Sequence, residues 1–332
     1  MEDSDPGRLA ARITGGDAEA VVATGARLEA VDAETRKRAL RAVRDAVDDG
    51  TRLDEAAAEP LTPFLTDDDR AVRLTAAKLF VASARTAPET VVPAVDSLGE
   101  RLADDAEFYY VRARCAEALG YVAVESPGSV ADPETLANLR IGLEFDEPEV
   151  REKLAKALAH VALGDPGRLR HHVDSLAEHL DAAAELVRYH LCTALVAIGC
   201  EHPERLTAAE AALGERLRDE SAYVRGRAAE AIGLLAGTEA SSERTDADEA
   251  LDAVDAEAAP EFLIDRAEFC RRRLAGPAAD PVPGVGTVES VRDGTADAVA
   301  AMTAPDDGAC PHCGLEFSGA GPPMCPRCGT PR

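Results

Sequence analysis

The sequence predicts an all-α protein, an α-solenoid of about six helix pairs followed by a small module that carries four cysteines. A Val-Arg pair recurs every 37 to 39 residues, and apolar residues follow each pair with helical spacing. The chain is rich in alanine, holds only 4% aromatic residues and has no tryptophan, which favours packed helices over sheets. Two Cys-x-x-Cys motifs close to the C-terminus predict the module.

The recurring pair begins the second helix of each repeat, which we call helix B. With the first residue of the pair as position 0, apolar residues at 0, +4, +7 and +8 form one stripe, and a small residue at +5 lets a neighbouring helix approach closely. An acidic residue precedes each helix, where it can cap the helix or meet its positive end. The pairs are Val72-Arg73, Val111-Arg112, Val150-Arg151, Val187-Arg188 and Val224-Arg225, with a weaker Thr35-Arg36, and the acids are Asp68, Asp105, Asp146, Asp181 and Asp219.

A second helical segment, helix A, lies between successive B helices. It usually opens with a proline, which suits the first turn of a helix. The expected segments are Pro88 to Leu102, Pro133 to Leu143, Pro166 to Leu180 and Pro203 to Leu217. One helix pair cannot bury its apolar faces alone, so stacked pairs are expected to share one continuous core.

The repeat resembles a known family. The acid-then-Val-Arg start, followed by Ala-x-x-Leu-Gly at Ala116 to Gly120 and a close variant at Ala229 to Gly233, resembles HEAT repeats over residues 17–236. It is most similar to the short HEAT-like class named after the phycobilisome lyases. The acid-rich, lysine-poor composition, with a net charge of −26, resembles that of proteins from salt-loving archaea. The HEAT resemblance implies that the B helices line a concave groove.

Composition divides the chain into successive segments. A capping helix is expected in the fourth of these segments, and a weak helix around Val288 to Met302 is expected inside the Pro- and Gly-containing linker. The segments are an N-terminal tail at 1–16, the solenoid at 17–236, an acidic linker at 237–258, the capping helix at 259–276, the second linker at 277–308 and the terminal module at 309–332.

The B helices hold the positive charge of an otherwise acidic chain. The first two B segments carry net charges of +2 and +4, and the other four are neutral. A groove lined in this way suits an acidic protein segment or a nucleic-acid backbone, although pairing with Glu117, Glu152 and Glu230 would equally explain the charge. The candidate partner-binding residues are Arg38, Arg41, Lys78, Arg114, Lys153, Lys156 and Arg227.

The arginine at position +1 is interpreted as structural. In HEAT-like families it pairs with acids of adjacent turns, so the resemblance implies a ladder of such pairs. The ladder consists of Arg73, Arg112, Arg151, Arg188 and Arg225. Six of the seven histidines lie between His160 and His202 without the tight spacing of a metal site, and they are interpreted as solvated or pairing side chains.

The terminal module contains two Cys-Pro-x-Cys-Gly motifs. Four thiolates on one tetrahedral ion suit Zn²⁺, and metal binding would supply the folding energy of so short a segment. The motif resembles the short zinc ribbons found at the ends of archaeal proteins; an iron site or a redox dithiol is the alternative. The metal ligands are Cys310, Cys313, Cys325 and Cys328.

These observations favour a protein–protein interaction scaffold with a tethered structural zinc ribbon. The alternatives are a protein that associates with nucleic acid through the groove and ribbon, and a HEAT-like lyase or maturation-factor subunit. No P-loop, His-Glu-x-x-His or Gly-x-Ser-x-Gly motif is present, so the sequence does not predict an enzyme. The acidic N-terminal segment and the cysteine distribution predict a cytoplasmic protein without a membrane anchor.

Overall fold

The computed structural model describes residues 5–15, 18–130, 132–238, 244–254, 259–276 and 282–303. These residues form helices and connecting turns, with no strand among them. The helices are α1 (Pro6–Gly15), α2 (Ala18–Glu29), α3 (Ala33–Asp48), α4 (Ala58–Leu61), α5 (Arg70–Thr86), α6 (Val95–Ala103), α7 (Tyr109–Glu125), α8 (Pro133–Ile141), α9 (Pro148–Gly164), α10 (Val173–Ala177), α11 (Glu185–Glu201), α12 (Glu210–Arg216), α13 (Ala222–Ala236), α14 (Arg244–Asp252), α15 (Glu261–Ala275) and α16 (Val288–Thr303).

The B helices form one continuous layer. Helices α3, α5, α7, α9, α11 and α13 each pack against the next. Their bounds agree to within two residues with the B segments predicted from the sequence, which are 34–48, 70–86, 107–124, 147–163, 184–200 and 220–236. The prediction of an α-solenoid is therefore confirmed. The stack is longer than six pairs, because α1 packs against α3 at one end and α15 packs against α13 at the other.

Small residues bring the B helices close together. The valine at position 0 and the small residue at +5 are buried in every one of the five strong repeats. Gly120 shows how tight the contact is, since a Cβ atom at this position would lie 2.8 Å from the Cα atom of Ala157 on the next B helix. Backbones that approach this closely leave no room for a side chain, so the repeat depends on small residues here.

The A segments are less regular than the sequence predicted. Each one divides into a 3₁₀ turn and a short α-helix rather than forming one long helix. Four of the six turns contain a proline, which lacks the N–H that a continuous α-helix would use; Pro93 lies inside the third turn. The 3₁₀ turns are Glu55–Ala57, Thr62–Thr66, Pro88–Ala94, Gly142–Glu144, Pro166–Arg168 and Pro203–Ala209.

Two expectations from the sequence, one about the N-terminal segment and one about the helix caps, need correction. The segment 1–16, expected to be a tail, contains α1, whose Leu9, Ala10 and Ile13 are buried against the core. The acids chosen as caps do not cap the B helices: the α5 cap is Asp69, and α13 is capped by Ser221. Two of these acids, Asp105 and Asp219, instead pair with arginines, as described below.

The chain folds back after α15. Within the segments expected to be linkers, α14 lies in the first and α16 in the second. Gly284 and Gly286 have φ angles of 73° and 83°, values that favour glycine, and a Cβ atom on Gly286 would lie 2.8 Å from the Phe269 ring. This turn places α16 against α9 and α11. None of the described helices is long and apolar enough to cross a membrane.

Candidate functional site

The residues at repeat positions +3, +6 and +10 share one side of the B helices, which we call the B face. Six of the seven predicted partner-binding residues lie at these positions in α3, α5, α7 and α9, and Arg227 lies at position +3 of α13. Helix α16 lies over part of this face. The B face therefore divides into an end formed by α3 and α5, which no described element covers and which we call the uncovered end, and a covered end formed by α11 and α13.

The arginines at position +1 connect neighbouring repeats. Arg73 donates to both carboxylate oxygens of Glu107, at 2.7 and 3.0 Å. Arg188 donates to both oxygens of Asp219, at 2.8 and 2.9 Å, and almost no surface of either side chain is exposed. Bidentate pairs of this kind fix the relative position of two repeats. Arg36 of the weak first repeat makes a similar pair with Asp67, at 2.6 Å.

The other ladder arginines make different contacts. Arg112 donates to the Leu102 carbonyl at 2.9 Å and pairs with Asp105 at 3.1 Å. Arg225 donates to the carbonyl oxygens of Asp219 and Glu220. Within the described ranges Arg151 makes no ion pair, and its buried Nε has no hydrogen-bond partner.

The uncovered end of the B face presents cations that have no acidic partner among the described residues. Arg38 and Arg41 are exposed on α3, and Lys78 is partly buried beside them on α5. Among the residues that the structure describes, none of the three has an ion pair. Burial, and then the charges of Arg114 and Arg44, lower the pKa of Lys78. An acidic group placed here would relieve that repulsion.

Cations in the middle of the B face are paired. Glu117 accepts hydrogen bonds from Arg114 at 2.8 Å and Lys156 at 3.0 Å, and Lys153 lies 3.9 Å away. Burial by itself would raise the pKa of Glu117, but these three charges outweigh burial and lower it to about 2. Arg114 also pairs with Glu149, and Lys153 with Glu152, each at 2.8 Å. Charge balance therefore accounts for these positions.

An aromatic cluster adjoins the uncovered end. Phe108, Tyr109 and Tyr110 at the start of α7 are partly exposed, and their ring centroids lie 4.7 to 5.3 Å apart. The guanidinium of Arg70 lies 4.6 Å from the centre of the Phe108 ring. Sequence reasoning missed this cluster, although three consecutive aromatic residues in an aromatic-poor chain are a signal that it could have used.

The covered end holds Arg227 away from solvent, which corrects the prediction that it binds a partner. Its side chain is fully buried and donates to Glu230 at 2.8 Å, and to the Val291 carbonyl and Thr295 hydroxyl of α16 at 3.2 and 3.1 Å. Glu230, also fully buried, accepts from Arg266 at 3.1 Å and from the Gly286 amide at 2.9 Å. This network fastens α16 and its turn to the solenoid.

Arg292 of α16 forms a second attachment. It donates to the carbonyl oxygens of Val124 and Leu163, at 3.2 and 3.0 Å, in the last turns of α7 and α9. These carbonyls have no partner within their own helices, so Arg292 satisfies two helix ends at once. Because Arg292 lies in a segment predicted to be a linker, this role could not be inferred from the sequence.

Cysteine and metal chemistry is limited in the described part of the chain. Cys115 and Cys192 are buried, and burial raises the pKa of the Cys192 thiol to about 12, as expected of packing residues. No group of three or more potential metal ligands occurs among the described residues. The four predicted zinc ligands, Cys310, Cys313, Cys325 and Cys328, lie outside those residues.

Comparison with known structures supports the fold assignment. No protein-family model and no curated protein matches the chain. An engineered protein aligns with a TM-score of 0.62 and 22% identity over 91% of this chain and 80% of its own. A designed armadillo repeat protein in complex with the peptide (KR)4 aligns with a TM-score of 0.56 and 20% identity over 65% of this chain and 99% of its own. A computationally designed armadillo repeat protein for modular peptide recognition gives a TM-score of 0.56 and 21% identity over 64% and 99%. The chain therefore has the fold of a helical-repeat solenoid.

Proposed function

We propose that this protein is an interaction scaffold that binds an acidic segment of a partner protein on the uncovered end of the B face. The carrying observation is that Arg38, Arg41 and Lys78 lie together on two adjacent helices without an acidic partner among the described residues. A solvated acidic segment would meet three cations there, and complementary charge of this kind favours encounter and selects partners.

The neighbouring aromatic cluster supports a protein partner. Aromatic and arginine side chains are common in the centres of protein interfaces, and Tyr110 lies beside Arg114 and Glu149 at the edge of the cationic patch. Phe108 and Tyr109 extend the patch with apolar area that a phosphate backbone would not need. Peptide binding by a designed armadillo neighbour supports the same general use of the fold.

The uncovered end is positively charged, whereas a surface that binds a basic peptide is expected to be negatively charged. The armadillo design was solved with the peptide (KR)4, whereas the uncovered end here is itself basic. We therefore assign the opposite charge to the partner segment of this protein. We also propose that the repeats are related to HEAT-like repeats, and this relationship adds no catalytic role.

The proposal includes a structural Zn²⁺ held by Cys310, Cys313, Cys325 and Cys328. The donor set supports zinc, because four thiolates fill a tetrahedral shell and leave no open position for catalysis. We expect one zinc per chain by elemental mass spectrometry, and its loss in Cys325→Ser. Cys200→Ser is the control that should keep the metal. Iron in place of zinc, or an unchanged metal content in Cys325→Ser, would contradict this assignment.

Binding of an acidic peptide tests the scaffold proposal. A fluorescein-labelled peptide of alternating glutamate and serine is titrated with the full chain, and binding is followed by anisotropy. We expect the double variant Arg41→Glu/Lys78→Glu to bind about tenfold or more weakly, a change of about 1.4 kcal/mol or more. Lys37→Glu changes charge on the same helix, at a lysine that already pairs with Glu34, and should bind like the unmodified chain.

A parallel purification identifies the class of natural partner. The tagged chain is recovered from the cells that produce it, with and without nuclease treatment, and the double variant is processed in the same way. We expect a stoichiometric protein that survives nuclease and is lost with Arg41→Glu/Lys78→Glu. Material that disappears on nuclease treatment, or a labelled DNA duplex that binds more tightly than the acidic peptide, would replace the scaffold proposal with nucleic-acid association.

A further inference from the structure

A cavity of about 910 Å³ lies between α16 and the middle of the B face. Its walls come from the ends of α5, α7 and α9, from α11, and from one side of α16. The volume is within the range of sites that hold small organic ligands, about 300 to 1,000 Å³. The cavity is separate from the uncovered patch, because none of Arg38, Arg41 and Lys78 lines it.

One end of the cavity is polar. The Lys156 ammonium donates to the Tyr121 hydroxyl at 2.7 Å, and the Tyr121 and His160 rings lie 4.9 Å apart. His190 of the next repeat completes this wall. Three successive B helices thus place a cation, a hydroxyl and two imidazoles at one end of the same space.

The two imidazoles have unmet hydrogen-bonding capacity. His190 is 1% exposed and His160 is 9% exposed, and the Nδ1 atom of each is buried without a partner. No hydrogen bond to either ring occurs within the described residues. Buried polar groups in native proteins are normally satisfied, but these two Nδ1 atoms have no accessible surface, so a ligand would meet the accessible edges of the two rings, both of which line the cavity. This finding also corrects the interpretation of these histidines as solvated or pairing side chains.

The polar end contains one ammonium, that of Lys156, which also donates to the Glu117 carboxylate at 3.0 Å. Burial by itself would lower the pKa of Lys156, but Glu117 and Tyr121 outweigh burial and raise it, so the ammonium stays charged. Burial and the Lys156 charge lower the pKa of His160 to about 3, so its imidazole is neutral at pH 7. A charged donor beside neutral imidazoles that can each donate an N–H suits an oxyanion.

The rest of the lining combines apolar side chains with the charged Arg52, Arg85, Glu89 and Glu125. Val124 and Leu163 supply the apolar wall from the solenoid, and Ala296, Val299 and Ala300 supply the apolar wall from α16. Arg292 closes one side through its bonds to the α7 and α9 carbonyls. The site therefore offers apolar surface for a hydrocarbon body and polar groups for one anionic end.

We propose that this cavity binds a small amphipathic acid, with its carboxylate or equivalent oxyanion at Lys156, His160 and His190 and its apolar body against α16. This goes beyond the scaffold proposal, since it concerns a different surface and a different class of ligand. Either proposal can fail without the other.

The test uses 8-anilinonaphthalene-1-sulfonate, an apolar anion that fluoresces when it leaves water. We expect one molecule to bind per chain, with a Kd raised about tenfold or more by Lys156→Met and by Ala296→Phe, which fills the cavity from an exposed position on α16. Lys37→Met and Ala301→Phe make the same chemical changes outside the cavity and should leave the Kd unchanged. Octanoate should displace the probe, and octanol should not.

Three results would overturn the proposal. Equal binding of the probe to the unmodified chain and to Ala296→Phe would show that it binds elsewhere. Equal displacement by octanol and octanoate would show that the polar end does not recognise an anion. Displacement by the glutamate–serine peptide but not by octanoate would show that the cavity belongs to the protein-binding surface.

Discussion

Equivalent repeat positions behave differently at the two ends of the B face. Position +3 holds Arg38 in α3, which is exposed, and Arg227 in α13, which is fully buried. Position +6 holds Lys78 in α5, without an acidic partner in the described residues, and Glu230 in α13, which accepts from two guanidinium groups and an amide. A charge at one repeat position is thus left accessible or held in a buried network according to whether another element covers it.

The largest effect that this comparison predicts is at Glu230. Glu230→Ala leaves Arg227 and Arg266 buried without their shared carboxylate, and we expect a loss of about 3–5 kcal/mol in the free energy of unfolding. Urea denaturation of the full chain measures it. Glu29→Ala, at an exposed carboxylate, should change stability by less than about 0.5 kcal/mol. A loss below about 1 kcal/mol for Glu230→Ala would show that the covered end is not held by this network.

Acid should weaken the protein through His160 and His190. Their folded-state pKa values lie below the unfolded value of 6.5, at about 3 for His160 and well below 6.5 for His190. The stability they contribute is present above pH 6.5 and is lost as pH falls below it, at roughly 2 kcal/mol for His160 by pH 5. We expect His160→Gln/His190→Gln to reduce the difference in unfolding free energy between pH 7 and pH 5.

Exposed His171 provides the control for that measurement. His171→Gln should keep the full difference between the two pH values. If the double variant and His171→Gln lose the same stability on acidification, the acid sensitivity arises elsewhere in the chain.

A substitution in the turn before α16 tests whether this turn holds α16 over the B face. Gly286→Val places a side chain at a φ of 83°, which costs about 1–2 kcal/mol, and directs it at the Phe269 ring. We expect a lower thermal midpoint and weaker binding of the sulfonate probe, because α16 forms one wall of the cavity. Gly276→Ala, where an added Cβ meets no atom within 4 Å, should change neither. Unchanged probe binding in Gly286→Val would show that the cavity does not depend on this turn.

The smallest stability effect is expected at Lys78. Lys78→Ala removes a side chain without an acidic partner in the described residues, so the unfolding free energy should change by less than about 0.5 kcal/mol. Binding of the acidic peptide should nevertheless weaken. A substantial loss of stability would mean that Lys78 belongs to the structural framework, as Glu230 does.

The sequence could predict the B helices because their signal is local and repeated. Each buried valine and each small residue recurs at a fixed spacing, and both follow from the close packing seen at Gly120. The burial of Arg227 could not be predicted in this way. Its partners on α16 lie 64 and 68 residues away, and no periodicity links a helix in a Pro- and Gly-containing segment to the repeat that it covers.

The same reasoning explains which site residues were missed. Arg292 reaches carbonyl oxygens 168 and 129 residues away, and the cavity exists only because α16 returns to the B face. Lys156 lies on the B helix in which the sequence placed it, its predicted role in partner binding stays a prediction, and the cavity that it lines with His160 and His190 depends on that return. Long-range packing therefore determines which side chains meet at the covered end, whereas repeat position alone predicts which cations lie at the uncovered end.

Lysine footprinting of the full chain tests the central claim most directly. The chain has four lysines, Lys37, Lys78, Lys153 and Lys156, and their modification by an amine-reactive reagent is measured by mass spectrometry with and without the acidic peptide. The account predicts that the peptide protects Lys78, while Lys37 on the neighbouring helix and Lys156 in the cavity react as before. Protection of Lys156 with no change at Lys78 would contradict it, because the partner would then occupy the covered part of the B face.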